Sequence, residues 1–222
     1  MSRLASISRR LWFGLNPELR KSRFHTQKGQ YALGSLNDLA DCAAAVATGV
    51  ARKAAGIRLM LPWITFPAMR FLRARITPNT RMFEWSCGMS TLWFERRCGE
   101  VWAVEDDPAW YRTIAERATR AKVVLLEGRA YVEKILEFPA GYFDVVSVDG
   151  SRRLECFRLA LEHTCPGGLL VVDNTDNDRL GEDLYVIDQM LDHLGPNWEV
   201  HRFPGWGPGN FYAWETTVCA RR

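Results

Sequence analysis

Five acids, Glu84, Glu105, Glu127, Asp149 and Asp173, stand at or next to the carboxyl ends of five successive short apolar runs. Helix capping accounts for some acids at such positions, but not for one after every run. Carboxylates gathered in a row can attract a cation, accept hydrogen bonds from a diol, or take a proton from an acceptor. Between the first two acids lies "SCGMS", residues 86–90. Its Gly88 would let a ligand approach the backbone with no Cβ in the way. Ser86 and Ser90 are available there as caps or polar contacts.

The turn reads Ser86-x-Gly88-x-x-Thr91 and lacks the three glycines of a dinucleotide fingerprint. Glu84, two residues before it, would repel a pyrophosphate and suits a ligand carrying positive charge. Glu105 follows 21 residues later, where its carboxylate can accept both hydroxyls of a ribose. A ribose and a cationic end without phosphate describe S-adenosylmethionine (SAM).

Positioning these acids along one edge requires a parallel sheet. Alternation predicts strands over Arg81–Trp85, Glu100–Glu105, Lys122–Leu126, Phe143–Val148 and the "LLVVD" run ending at Asp173. Helical patterns separate them, at Ser90–Arg97, Pro108–Arg120, Tyr131–Glu137 and around Leu154, Phe157 and Leu161. Leu184, Ile187, Leu191 and Leu194 stripe a further helix. Two closing strands, near Trp198–Phe203 and Phe211–Cys219, have only "PGWGPGN" between them and should pair antiparallel. The expected fold is α/β: a Rossmann-like seven-stranded sheet, mostly parallel with a C-terminal antiparallel hairpin, and helices on both faces.

A helical extension precedes the sheet. Leu4, Ile7 and Leu11 share a face, and a longer helix after Ser35 carries Leu39, Ala43, Val46 and Val50 as its expected buried stripe. Phe66–Ala74 forms a short helix. The expected division is a basic cover, residues 1–62, and a ligand-binding domain, residues 63–222.

The motifs resemble class I SAM-dependent methyltransferases. "FEWSCGMSTLWF" is similar to their first motif, "VWAVEDDPAWY" to the ribose-binding segment, and "FDVVSVDGSRRLECFRLAL" and "PGGLLVVDN" to the motifs of the fourth and fifth strands. The resemblance runs from about Trp63 to the C-terminus. It implies that Glu84, Ser86, Gly88 and Ser90 surround the methionine part of SAM. It places Glu105 and Asp106 at the ribose, Gly128 and Arg129 near the adenine, and Asp149 at the methionine amino group or the acceptor. Ser86 stands where the family has glycine, which the turn accommodates if φ is negative.

The resemblance extends to metal-dependent O-methyltransferases, which have D-x-x-K and D-N at these strand ends. Asp149, Asp173 and Asn174 could then hold Mg²⁺, with Asp149 and Asp173 as catalytic candidates. Here Arg152 replaces the lysine, and a guanidinium cannot act as a base. Alternatively Asp149 anchors SAM, Asp173 and Asn174 line the acceptor pocket, and Arg152 and Arg153 grip an anionic acceptor or simply start a solvated helix. The tail offers Trp206, Phe211, Tyr212 and Trp214 as an aromatic wall, although core packing of the hairpin suits Phe211 and one of its neighbours better, with Gly205, Gly207 and Gly209 making a mobile lid.

Residues 1–80 hold 13 Lys and Arg against 3 Asp and Glu, whereas residues 81–222 hold 16 against 23. The basic part suits phosphates or a solvated face; the acidic part disfavours nucleic acid around the site. No run reaches the ~20 apolar residues of a membrane span. The six cysteines lack metal-ligand spacing and fit a reducing cytoplasm. The expectation is a cytoplasmic methyltransferase acting on a small-molecule hydroxyl, with a homodimer as a candidate assembly. A nucleic-acid or protein methyltransferase and an NAD-dependent oxidoreductase are the alternatives.

Overall fold

The computed structural model describes residues 21–176 and 182–222. The helix expected around Leu4, Ile7 and Leu11 lies outside these residues. Seven strands form one sheet: β1 (Arg81–Trp85), β2 (Glu100–Glu105), β3 (Lys122–Leu125), β4 (Phe143–Val148), β5 (Thr164–Asp173), β6 (Trp198–Gly205) and β7 (Trp214–Arg221). Their order is β3-β2-β1-β4-β5-β7-β6. The first five are parallel, and β7 runs antiparallel to both β5 and β6. Chain order reverses between β1 and β4, where open sheets of this kind bind ligands.

The described helices are α1 (Leu36–Ala55), α2 (Phe66–Arg73), α3 (Met89–Phe94), α4 (Pro108–Ala115), α5 (Gly128–Glu133), α6 (Arg153–His163) and α7 (Glu182–Asp192). Alternation along β1 divides the core. Phe83 and Trp85 pack with Tyr131, Ile135, Phe157 and Ile187 on the α5–α7 side. Met82 packs with Leu72, Trp93 and Phe94 of α2 and α3 on the other. Each fully buried side chain of this size contributes about 1.5–3 kcal/mol. All six cysteines are free thiols. Among the described residues, no helix is long and apolar enough to cross a membrane.

Helix α1 turns the opposite way from expectation. Leu39 and Val46 are exposed at 58% and 42%, and Ala43 and Val50 also face out. Asp41, Ala45 and Gly49 face inward. The apolar stripe loses because α1 docks through a charge and through small residues. Asp41 receives both terminal nitrogens of Arg70 on α2, at 2.7 and 2.9 Å. Ala45 meets the Trp206 cluster, and Gly49 lies where a Cβ would collide with the Phe211 ring. Ser35 caps the helix, accepting from Asp38 N at 3.2 Å, and Gly56 ends it in the left-handed region.

The glycine-rich tail is also not the mobile lid expected. Residues 205–209 are buried. A Cβ on Gly207 would strike Ile64 O and the Trp214 ring. Phe66 N donates to Trp206 O at 2.6 Å, and Gly209 N to Thr48 Oγ1 at 2.9 Å. These glycines permit close packing rather than motion.

Candidate active site

A pocket of about 500 Å³ opens at the carboxyl ends of β1, β4 and β5. Trp85 pairs with both Val104 and Val148, and Val148 pairs with Val172. The residues that follow these strands, Ser86, Asp149 and Asp173, therefore meet at one edge. Glu84, Ser86, Gly88, Ser90, Asp149, Asp173 and Asn174 all line the pocket. Glu105, Asp106, Gly128 and Arg129 do not line it. Arg129 is 85% exposed and pairs with Glu133 at 2.6 Å.

Glu84 alternates onto the α3 side of β1 and is 2% exposed. Its Oε1 accepts from the Thr91 hydroxyl, which in turn accepts from Gly88 N at 2.8 Å. Burial pushes the Glu84 carboxyl up to about 8, against the opposing Thr91 and Ser90 hydroxyls. Gly88 is extended, with φ −177°, and a Cβ there would make ordinary contact with Ser90 and Trp110. Ser86 differs from expectation: its φ is +77°. The turn keeps a glycine-like backbone with a serine in it, at a cost of about 1–2 kcal/mol. Its hydroxyl returns part of that by donating to Glu105 Oε2 at 3.3 Å.

Glu105 fixes the turn from behind. Its Oε2 also accepts from Cys87 N at 2.9 Å, and its Oε1 accepts from Asp106 N and Asp107 N at 3.0 and 2.9 Å. Four donors fill the four acceptor positions of a carboxylate. Asp107 caps α4, accepting from Ala109 N and Trp110 N at 2.8 Å. Asp106, half-buried, keeps a carboxylate with no partner among the described residues.

At the other strand ends, Asp173 is 4% exposed. Its Oδ1 accepts from Trp214 Nε1 at 2.9 Å and from the Thr216 hydroxyl. Burial, then the charge of Asp149, lifts its carboxyl well above the ordinary range. Asp149 is more open, with 38% of its side chain exposed. Burial raises it too, with the Arg153 guanidinium opposing. Asn174 adopts φ +62°.

The residues do not fit a divalent metal. Arg153 Nη2 already sits 2.8 Å from Asp149 Oδ1, so a positive charge already stands against that oxygen. Asp173 has one oxygen taken by two donors. Arg152 does not face the acceptor; it pairs with Glu155 through two bonds of 2.8 Å.

Sequence reasoning missed the pocket's mouth. Trp63, Trp110 and Arg52 line it. Trp63 and Trp110 lie 6.5 Å apart, with Arg52 over the first ring at 5.2 Å and Arg58 over the second at 4.8 Å. From the tail only Asn210 and Tyr212 reach the pocket. Trp206 and Trp214 belong to the core, 2% and 1% exposed, and Phe211 packs on Gly49.

No family model and no curated protein sequence matches this chain. Solved structures do match its fold. The O-methyltransferase TomG from Streptomyces achromogenes, involved in tomaymycin synthesis and solved with SAM, is 19% identical over 80% of this chain and 89% of its own, with a TM-score of 0.60. An O-methyltransferase from Bacillus cereus, solved with S-adenosylhomocysteine, is 16% identical over 82% of this chain and 91% of its own, with a TM-score of 0.59. At these identities the likeness concerns architecture: the chain has the Rossmann-like fold that these O-methyltransferases share.

Proposed function

We propose that the protein is a SAM-dependent methyltransferase that methylates a hydroxyl oxygen of a small, flat acceptor. The observation that carries this reading is the convergence of Glu84, Asp149 and Asp173 with the unencumbered Gly88 in one pocket at the β1–β4 reversal. Burial raises Glu84 and Asp173, so Asp149 is the acid the reading relies on for charge; that charge suits the cationic end of a nucleoside and disfavours a phosphate, which also argues against NAD. The fold likeness to SAM-bound enzymes supports the same choice.

Bound SAM supplies a methyl group activated on a positive sulfur, with a neutral thioether as the leaving group. The chain has to align the acceptor and receive its proton. Alignment alone supplies about 7–11 kcal/mol in well-oriented systems. Trp63, Trp110 and Tyr212 form aromatic walls suited to a flat ring. Glu84, Ser86, Gly88 and Ser90 would hold the methionine part of the donor, whose bonding pair would leave with the neutral thioether. The hydroxyl proton passes to the Asp149 carboxylate, the more open of the two acids, while burial and the charge of Asp149 disfavour ionisation of Asp173. Arg52, on the helix at residues 36–55, lines the pocket, which supports reading that helix as part of a cover over the acceptor. Free thiols support a cytoplasmic setting.

Calorimetry with SAM, S-adenosylhomocysteine and NAD tests the reading. The expected result is saturable binding of the first two and none of NAD. Absence of SAM binding, or tighter binding of NAD, refutes it.

A further inference from the structure

One side chain joins the ends of β4 and β5. Arg153, the first residue of α6, donates from Nη2 to Asp149 Oδ1 at 2.8 Å and to Asp149 O at 3.1 Å. Its Nε donates to Gly150 O at 3.1 Å, and its Nη1 to Asp173 O at 2.7 Å. The side chain is only 17% exposed. All three guanidinium nitrogens are therefore committed to oxygens from two neighbouring strand ends.

That is the ligand chemistry a hard divalent cation requires: several oxygens, at least one of them charged, converging on one positive centre. Arg153 supplies the centre itself. Its charge is permanent, because a guanidinium does not lose its proton in proteins. Mg²⁺ on Asp149 would have to expel the guanidinium or stand beside it, and like charges repel strongly in a partly desolvated site. Arg152 cannot substitute, since Glu155 holds it on the outer surface.

We infer that Arg153 is the resident cation of this site: it positions the Asp149 carboxylate toward the pocket, excludes divalent metal, and leaves the transfer metal-independent. The positioning role rests on the proposed methyl transfer. The exclusion of metal does not, so the two can fail separately.

The test measures Mg²⁺ and Mn²⁺ binding to the full chain by calorimetry, for the wild type, Arg153→Ser, Arg153→Lys and the double variant Arg153→Ser/Asp149→Asn. SAM binding is measured on the same samples. The wild type and Arg153→Lys should bind neither metal saturably at millimolar concentration. Arg153→Ser should gain Mn²⁺ binding at least about tenfold tighter than wild type, ~1.4 kcal/mol, and the double variant should lose it. With an acceptor in hand, a chelator should leave wild-type turnover unchanged. Arg153→Ser should then lower kcat more than it raises the KM for SAM, with Arg153→Lys partly restoring kcat.

Saturable metal binding by the wild type that Asp149→Asn removes would overturn the inference. So would an Arg153→Ser protein that folds and gains no metal. If that variant does not fold, Mn²⁺ electron paramagnetic resonance on the wild type decides: free-ion spectra support the inference, and a bound-ion spectrum refutes it. A wild type that binds neither SAM nor metal refutes the methyltransferase reading while upholding the exclusion.

Discussion

The indole of Trp214 on β7 donates to Asp173 Oδ1 at the end of β5, at 2.9 Å, with both groups buried. The C-terminal hairpin thereby controls an acid in the pocket from the sheet side. Trp214→Phe keeps an aromatic ring in the core but removes the donor. The expected cost is about 1–3 kcal/mol, read by urea denaturation. Asp173 should also become harder to ionise, because a donor to its carboxylate is lost.

Glu84 gives a pH signature. Its folded pKa of about 8 lies above its ordinary 4.5, so the native state holds a proton that the unfolded chain releases. The contribution of Glu84 to stability is then fully present below 4.5 and is lost as pH rises toward about 8. Glu84→Gln should flatten that slope, since its amide oxygen can still accept from Thr91. SAM affinity should rise with pH through the same window in the wild type, as the ionised carboxylate attracts the sulfonium, and stay level in the variant. Denaturation and calorimetry at pH 5, 7 and 9 would show both.

The two acids at the end of β2 have separable duties. Glu105→Gln would present an amide to Cys87 N or to Asp106 N and Asp107 N, and should destabilise the protein by about 1–3 kcal/mol. Asp106→Asn should leave stability within about 0.5 kcal/mol and weaken SAM about tenfold, since its free carboxylate is available to the ribose. If only the Glu105 variant loses SAM, Glu105 exchanges an internal donor for the ribose.

Gly150 packs against the end of β1. An added Cβ would collide with the Tyr131 hydroxyl and lie 3.1 Å from Ser86 N. Gly150→Ala should therefore cost about 1–3 kcal/mol by overpacking. In a Tyr131→Phe background the same substitution should cost less, because the colliding oxygen is gone. A double-mutant cycle by thermal unfolding measures that coupling.

Much of the scaffold was legible in the sequence. β1, β2 and β4 occupy the predicted residues because apolar runs between polar or glycine boundaries can only be strands in this rhythm. The pocket acids were legible for the same reason: strand ends in a parallel sheet share an edge. The orientation of α1 was not, because a charged Asp41 and a glycine decide it through partners on α2 and the tail. Trp63, Trp110 and Arg52 were hidden likewise, since nothing local marks residues brought together from three distant segments. The positive φ of Ser86 contradicts its residue type, and only the surrounding hydrogen bonds explain it.

Because four donors already hold Glu105, the bend at residues 86–88 is fixed before any nucleoside arrives. The ordering entropy of that bend is charged to folding and not to association. Ligand capture should then be quick and limited by encounter, with selectivity expressed in how slowly each nucleoside departs.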